Sequence, residues 1–147
     1  MDSGFDFEKL TRELAVSKLK PLGDDVAAGA AEVARETLMA SLKSTASKQD
    51  PRVTVTAVCK GLLGGLLLNG QPLAPAALAV LKDLANVHDV PVTPEDLMTW
   101  AMEGFAQVAV VSNEAALAIE AGIEEQFMGA GSIFAHACAQ ARQKSPA

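Results

Sequence analysis

Aromatic residues are scarce in this sequence. They make up 4% of it, tryptophan occurs once and tyrosine not at all. Alanine and leucine dominate instead, and alanine is the best helix former because it loses no side-chain entropy and hides no polar group. The composition therefore points to an all-α fold. Cysteine is nearly absent too. Cys59 and Cys138 are the only two, both fall in helical patterns, and no C-x-x-C pair is present. That excludes the usual structural zinc arrangement and predicts free buried thiols rather than a disulfide. Runs of basic residues are also missing, apart from Arg142-Gln143-Lys144 near the end, and the net charge is −6. A nucleic-acid binder needs a basic face to displace counterions from phosphates, so neither nucleic acid nor an anionic membrane surface is expected as a partner.

The 147 residues suit one domain. A chain of this size buries about 70% of the surface it exposes when unfolded, enough for a core without metal or disulfide. The start, M-D-S-G-F-D-F-E-K-L, has neither the basic nor the apolar region of a signal peptide, and the protein is expected in the cytoplasm.

Phe7, Leu10, Leu14 and Leu19 follow Asp6 at helical spacing, and Pro21 and Gly23 close that first helix. A second helix is predicted from Asp24 or Asp25 to about Lys48, with Val26, Ala30, Val33, Thr37, Leu38 and Leu42 as its buried stripe. A fourth starts at Pro75 and carries Leu78, Leu81 and Leu84 towards His88. Thr93-Pro94-Glu95-Asp96 is a strong start signal: a capping threonine, proline in the first helical position and carboxylates in the first turn. Leu97, Trp100, Ala101, Gly104, Val108 and Val111 form the buried face of that fifth helix. Ser112-Asn113 starts a sixth, reaching to Met128, with Ala116, Ile119, Ile123 and Phe127 inward. Gly129 to Ser132 breaks the chain before a last helix with Ile133, Phe134, Ala137 and Cys138, and residues 144–147 are expected as a disordered tail.

The most apolar run is C-K-G-L-L-G-G-L-L-L-N-G, Cys59 to Gly70. Thr54 reads as the cap of this third helix, with Val53 and Val58 pairing across its start, and Asn69-Gly70 as its end. About 15 residues give roughly 22 Å, short of the ~20 apolar residues that a bilayer core requires. The segment from about 54 to 69 is therefore expected to be the central buried helix, with Gly61, Gly64 and Gly65 allowing close helix packing. The architecture predicted is a single all-α domain, a bundle of six or seven helices. At an offset of 39 residues, Leu42-Lys43 matches Leu81-Lys82, Asp50 matches Asp89, Val53-Thr54 matches Val92-Thr93, and Gly65 matches Gly104. Two helical-hairpin repeats would produce this pattern. So would two junctions that share the same capping chemistry.

Catalytic signatures do not assemble. No glutamate is followed three residues later by histidine, as di-iron bundles require. His136 and Cys138, two apart on a helix, point to opposite sides and cannot share an ion. Cys59 lies in apolar surroundings that make a thiol inert, and Glu120, Glu124 and Glu125 read as a solvated face. No metal, cofactor or catalytic residue is assigned. Surplus apolar residues are the more informative feature. Leu117, Ala121 and Met128 make a second stripe on the sixth helix, edged by Glu114, Glu124 and Glu125, and Met98, Met102 and Phe105 give the fifth helix a similar surplus. Methionine-rich surfaces adapt to partners. The function expected is a small non-enzymatic interaction or regulatory module, self-associating as a dimer or binding another protein. The alternative is a carrier for a small apolar ligand held between helices.

Overall fold

The computed structural model describes residues 7–19, 26–43, 50–87, 90 and 92–144. Seven helices occupy them: α1 (Phe7–Leu14), prolonged by a π-helical segment Ala15–Leu19, then α2 (Val26–Lys43), α3 (Pro51–Leu68), α4 (Leu73–Leu84), α5 (Pro94–Ala109), α6 (Asn113–Gln126) and α7 (Gly131–Lys144). Among the described residues there is no strand, and the fold is an all-α bundle as the composition predicts. Asp6, Pro21, Gly23, Asp24, Asp25, Lys48, His88 and Asp89, to which roles were assigned above, lie outside the described residues.

Each helix packs chiefly on the helix two before it. The odd-numbered helices form one series, α1–α3–α5–α7, and the even-numbered ones another, α2–α4–α6. The molecule is thus two layers of helices around one core. Leu38, Leu62, Leu63, Leu66, Leu81, Leu84, Leu97, Phe105, Ile119, Ile123 and Phe134 are its largest fully buried side chains.

α3 is central, touching α1, α2, α4 and α5, but it begins earlier than expected. Asp50, not Thr54, is its cap: the backbone N–H of Arg52 donates to Asp50 Oδ1 at 2.8 Å, and Pro51 takes the first helical position. Thr54 is buried inside the helix, its N–H donating to the Asp50 carbonyl, while Val53 is half-exposed and takes no inward part in the start. The end is as expected. Gly70 has φ 70°, the N–H of Gln71 donates to the Leu66 carbonyl at 2.9 Å and that of Gly70 to Leu67 at 3.0 Å, the two bonds of a glycine-terminated helix end. With 18 residues, α3 is the one helix among those described that is long and apolar enough to cross a membrane. Half of it is buried against its neighbours, which is how a core helix passes the same test, and no membrane span is indicated.

α4 starts at Leu73 rather than Pro75. Pro75 then lies in the first turn, where a missing N–H has no intrahelical partner to lose. α7 keeps its helix to Lys144, the residue at which a disordered tail was expected to begin, and 145–147 lie outside the described residues.

Glycines set how closely the odd helices approach. A Cβ on Gly61 would collide with the Glu8 carbonyl of α1, and one on Gly104 of α5 would stand 2.5 Å from the Thr56 carbonyl oxygen of α3. Gly65 has the same relation to α1. Gly64 does not: its nearest neighbour would be Arg12 Cδ at 3.8 Å, an ordinary contact. Gly65 and Gly104, 39 residues apart, therefore do equivalent work on successive odd helices. The starts of those helices differ, however. α3 is capped by Asp50 and α5 by Thr93, and these two residues do not align at that offset.

Candidate functional site

Both cysteine thiols are buried among the helices. Cys59 is fully buried and desolvation pushes its thiol far up from the ordinary range. Cys138 is also raised, by burial first and by Glu120 in addition, with Arg142 opposing. His136 is exposed on the other side of α7 from Cys138. Among the described residues no cluster of three histidine, cysteine or carboxylate side chains could hold a metal.

The six residues proposed as a partner surface separate into two groups. Met102 and Phe105 are buried in the core, and Met98 is partly buried against it. α5 has α3, α4, α6 and α7 around it, so what reads in sequence as a surplus apolar side is filled by neighbours. Val111 errs in the other direction: expected inward, it lies beyond the last turn of α5 and is 66% exposed. Leu117, Ala121 and Met128 do lie outside. Leu117 and Ala121 share one exposed side of α6, and Met128, 94% exposed, stands in the loop after it.

That loop is held from beneath. α6 begins at Ser112, whose hydroxyl accepts the N–H of Ala115 at 3.2 Å, and its inner stripe Ala116, Ile119 and Ile123 fixes it on the core. Near its end, the Glu124 carboxylate accepts two backbone bonds: Gly129 N–H to Oε2 at 3.0 Å and Gly131 N–H to Oε1 at 3.1 Å. Gly131 opens α7, so the carboxylate also sits at the positive end of that helix. Gly129 has φ 92°, a conformation that favours glycine. A Cβ on Gly131 would lie 2.8 Å from Glu124 Oε1. Met128 is therefore presented on a braced turn. The signal for this brace, a glutamate shortly before G-A-G, is visible in the sequence, but beside Glu120 and Glu125 it reads as one more solvated carboxylate.

The sequence also gave no warning of a groove across the odd-numbered layer. It measures about 400 Å³ and is open along one side. Val53, Ala57, Ala137 and Ala141 supply its apolar lining, and two ion pairs stand at its rim. Arg52 pairs bidentately with Glu103 (Nε–Oε1 3.0 Å, Nη2–Oε2 2.7 Å) and Lys60 Nζ lies 3.6 Å from Glu8 Oε1. Each cation is matched by a carboxylate, so the groove presents no net charge from these four. A second cavity, between α2, α4 and the start of α5, is lined by Leu38, Met39, Leu42, Leu84 and Leu97, but holds only about 10 Å³.

Compared with protein-family models, with curated proteins and with solved structures, the chain matches none of them.

Proposed function

We propose that this chain is a non-enzymatic, cytoplasmic protein–protein interaction module that docks a partner on the outer side of α6 and the loop beyond it. The observation that carries this reading is Met128: a large apolar side chain left 94% exposed on a turn that Glu124 fastens at two points. The backbone of a braced turn loses little freedom on binding, so more of the burial of the side chain that it carries appears as affinity. Leu117 and Ala121 extend the apolar surface along α6. The two free, buried cysteines accord with a reducing compartment. The carrier reading finds less support. Ligand pockets run to about 300–1,000 Å³, but the leucine- and methionine-lined cavity is about 10 Å³, the space of roughly one water molecule, and the groove of about 400 Å³ is open along one side and rimmed by ion pairs rather than enclosed by apolar side chains.

The test is a comparison of immobilised chains. Wild type is expected to retain specific proteins from a cell extract that Leu117→Asp with Met128→Asp does not, while Ala57→Arg, which fills the groove instead, retains them. Equal retention by all three chains would overturn the assignment of this face.

A further inference from the structure

The charges of this chain are distributed unevenly in a way that residue-by-residue reading conceals. No lysine or arginine lies between Lys82 and Arg142, and that interval holds nine aspartates and glutamates. Nearly all of α5, α6 and α7 comes from it. On α6 itself stand Glu114, Glu120, Glu124 and Glu125, with no basic residue, and around the helix Glu114 and Glu125 border Leu117 and Ala121 on one side and Glu124 borders them on the other, all three exposed. Asp83 and Glu103 are matched by Arg35 and Arg52 from other helices, which leaves the excess on α6, and charge of one sign attracts partners of the other sign and repels its own.

From this we infer that the partner docked by α6 is a basic amphipathic helix, with an apolar stripe that covers Leu117, Ala121 and Met128 and with lysines or arginines on both flanks. The inference rests on the interaction reading above and names its partner class. The helix-on-helix geometry follows from the spacing. Leu117 and Ala121 are four apart, one turn on the same side of α6, and Met128 continues beyond the helix end, so an apolar stripe repeating every three to four residues matches them. Charge decides between occupants. A second copy of this chain placed on the same face would set Glu114, Glu124 and Glu125 against their own equivalents, and an acidic helix would meet the same repulsion. A basic helix gains from both the apolar and the charged parts.

The probe is a fluorescein-labelled model helix with leucines at i, i+4 and i+7 and lysines elsewhere, titrated against the full chain by anisotropy at two salt concentrations. A counterpart with glutamate in place of lysine serves for comparison. The lysine helix is expected to bind, more weakly at high salt, and the glutamate helix not to bind. Leu117→Asp with Met128→Asp adds negative charge and removes the apolar contact. Binding by charge alone would tighten in this variant, whereas docking on the face predicts a loss of about tenfold or more, as for truncated interface anchors. Unchanged or tighter binding of the lysine helix to the variant overturns the inference. If the glutamate helix binds wild type and loses binding in the variant, the face is an interaction site and the partner class is wrong. If sedimentation shows a wild-type dimer that the variant breaks, the occupant is a second copy. If neither helix responds to the variant and no dimer forms, the interaction reading fails with the inference.

Discussion

A Cβ built on Gly65 would stand 2.6 Å from the Cβ of Ala15 and 2.7 Å from the carbonyl oxygen of Arg12, so α3 meets α1 at a distance that no larger residue permits. Gly64, its neighbour in sequence, has only Arg12 Cδ near it, at 3.8 Å. The two positions should therefore respond oppositely to the same substitution. Gly65→Ala is expected to destabilise by about 1–3 kcal/mol, since overpacking outweighs helix propensity. Gly64→Ala is expected to be neutral or to stabilise by up to about 1 kcal/mol, because alanine forms helix better than glycine. Urea unfolding of the two variants beside wild type decides the matter. A higher midpoint for Gly65→Ala would mean that the helices are not held this closely.

The Glu124 brace predicts a local effect. Glu124→Ala removes the acceptor for both the Gly129 and Gly131 N–H groups and should lower stability by about 1–2 kcal/mol, the usual effect of losing a helix cap. Glu124→Gln keeps a single acceptor oxygen and should fall between. Amide exchange at Gly129 and Gly131 is expected to accelerate more than exchange in α3. Uniform acceleration throughout the chain would show that the effect is not local to the turn.

Both thiols are held above their ordinary range by burial, and the sign of the pH effect follows. A group whose folded pKa is raised stays protonated in the native state while the unfolded chain ionises. Stability from the two thiols is therefore complete below the unfolded value, near ~8.5, and declines as pH rises above it towards the folded values. Native protein at pH 8 should react slowly with a thiol-specific reagent, and denatured protein fast. Fast stoichiometric labelling of native protein would place at least one cysteine at the surface.

The Arg52–Glu103 pair has ideal bidentate geometry but stands in solvent, with 59% of the arginine side chain exposed. Glu103→Gln is expected to lower stability by no more than about 1 kcal/mol, as for other exposed pairs, and by less at high salt. A loss several times larger, independent of salt, would show that the groove rim holds the fold together.

What the sequence disclosed depends on how local the cause was. α5 starts where Thr93-Pro94-Glu95-Asp96 puts it, because the Thr93 hydroxyl caps the N–H of Asp96 within four residues. The start of α3 was displaced because two local signals compete, and Asp50-Pro51 prevails over Thr54 by capping the helix a turn earlier. Met102 and Phe105 were misplaced for a different reason: the periodicity of α5 shows one apolar side too many, and only the packing of four other helices around it shows that both sides are covered. Leu117, Ala121 and Met128 were legible because α6 has a single inner stripe and its remainder faces out. The groove was not, since Glu8, Arg52, Glu103 and Ala141 come from four helices.

The alternation of layers has a consequence for how the chain acquires its shape. Because helices meet chiefly at a separation of two, no large contact has to wait for the two ends of the chain to find each other. Each such contact closes a loop of intermediate length, as between Gly104 and Thr56, and loop-closure entropy grows only slowly with length. Structure can spread outward from α3, first to α1 and α5 and then to α7, like a zipper opened from its middle. Loss of structure should run in reverse, beginning with α6 and α7, the pair joined by the turn that bears Met128.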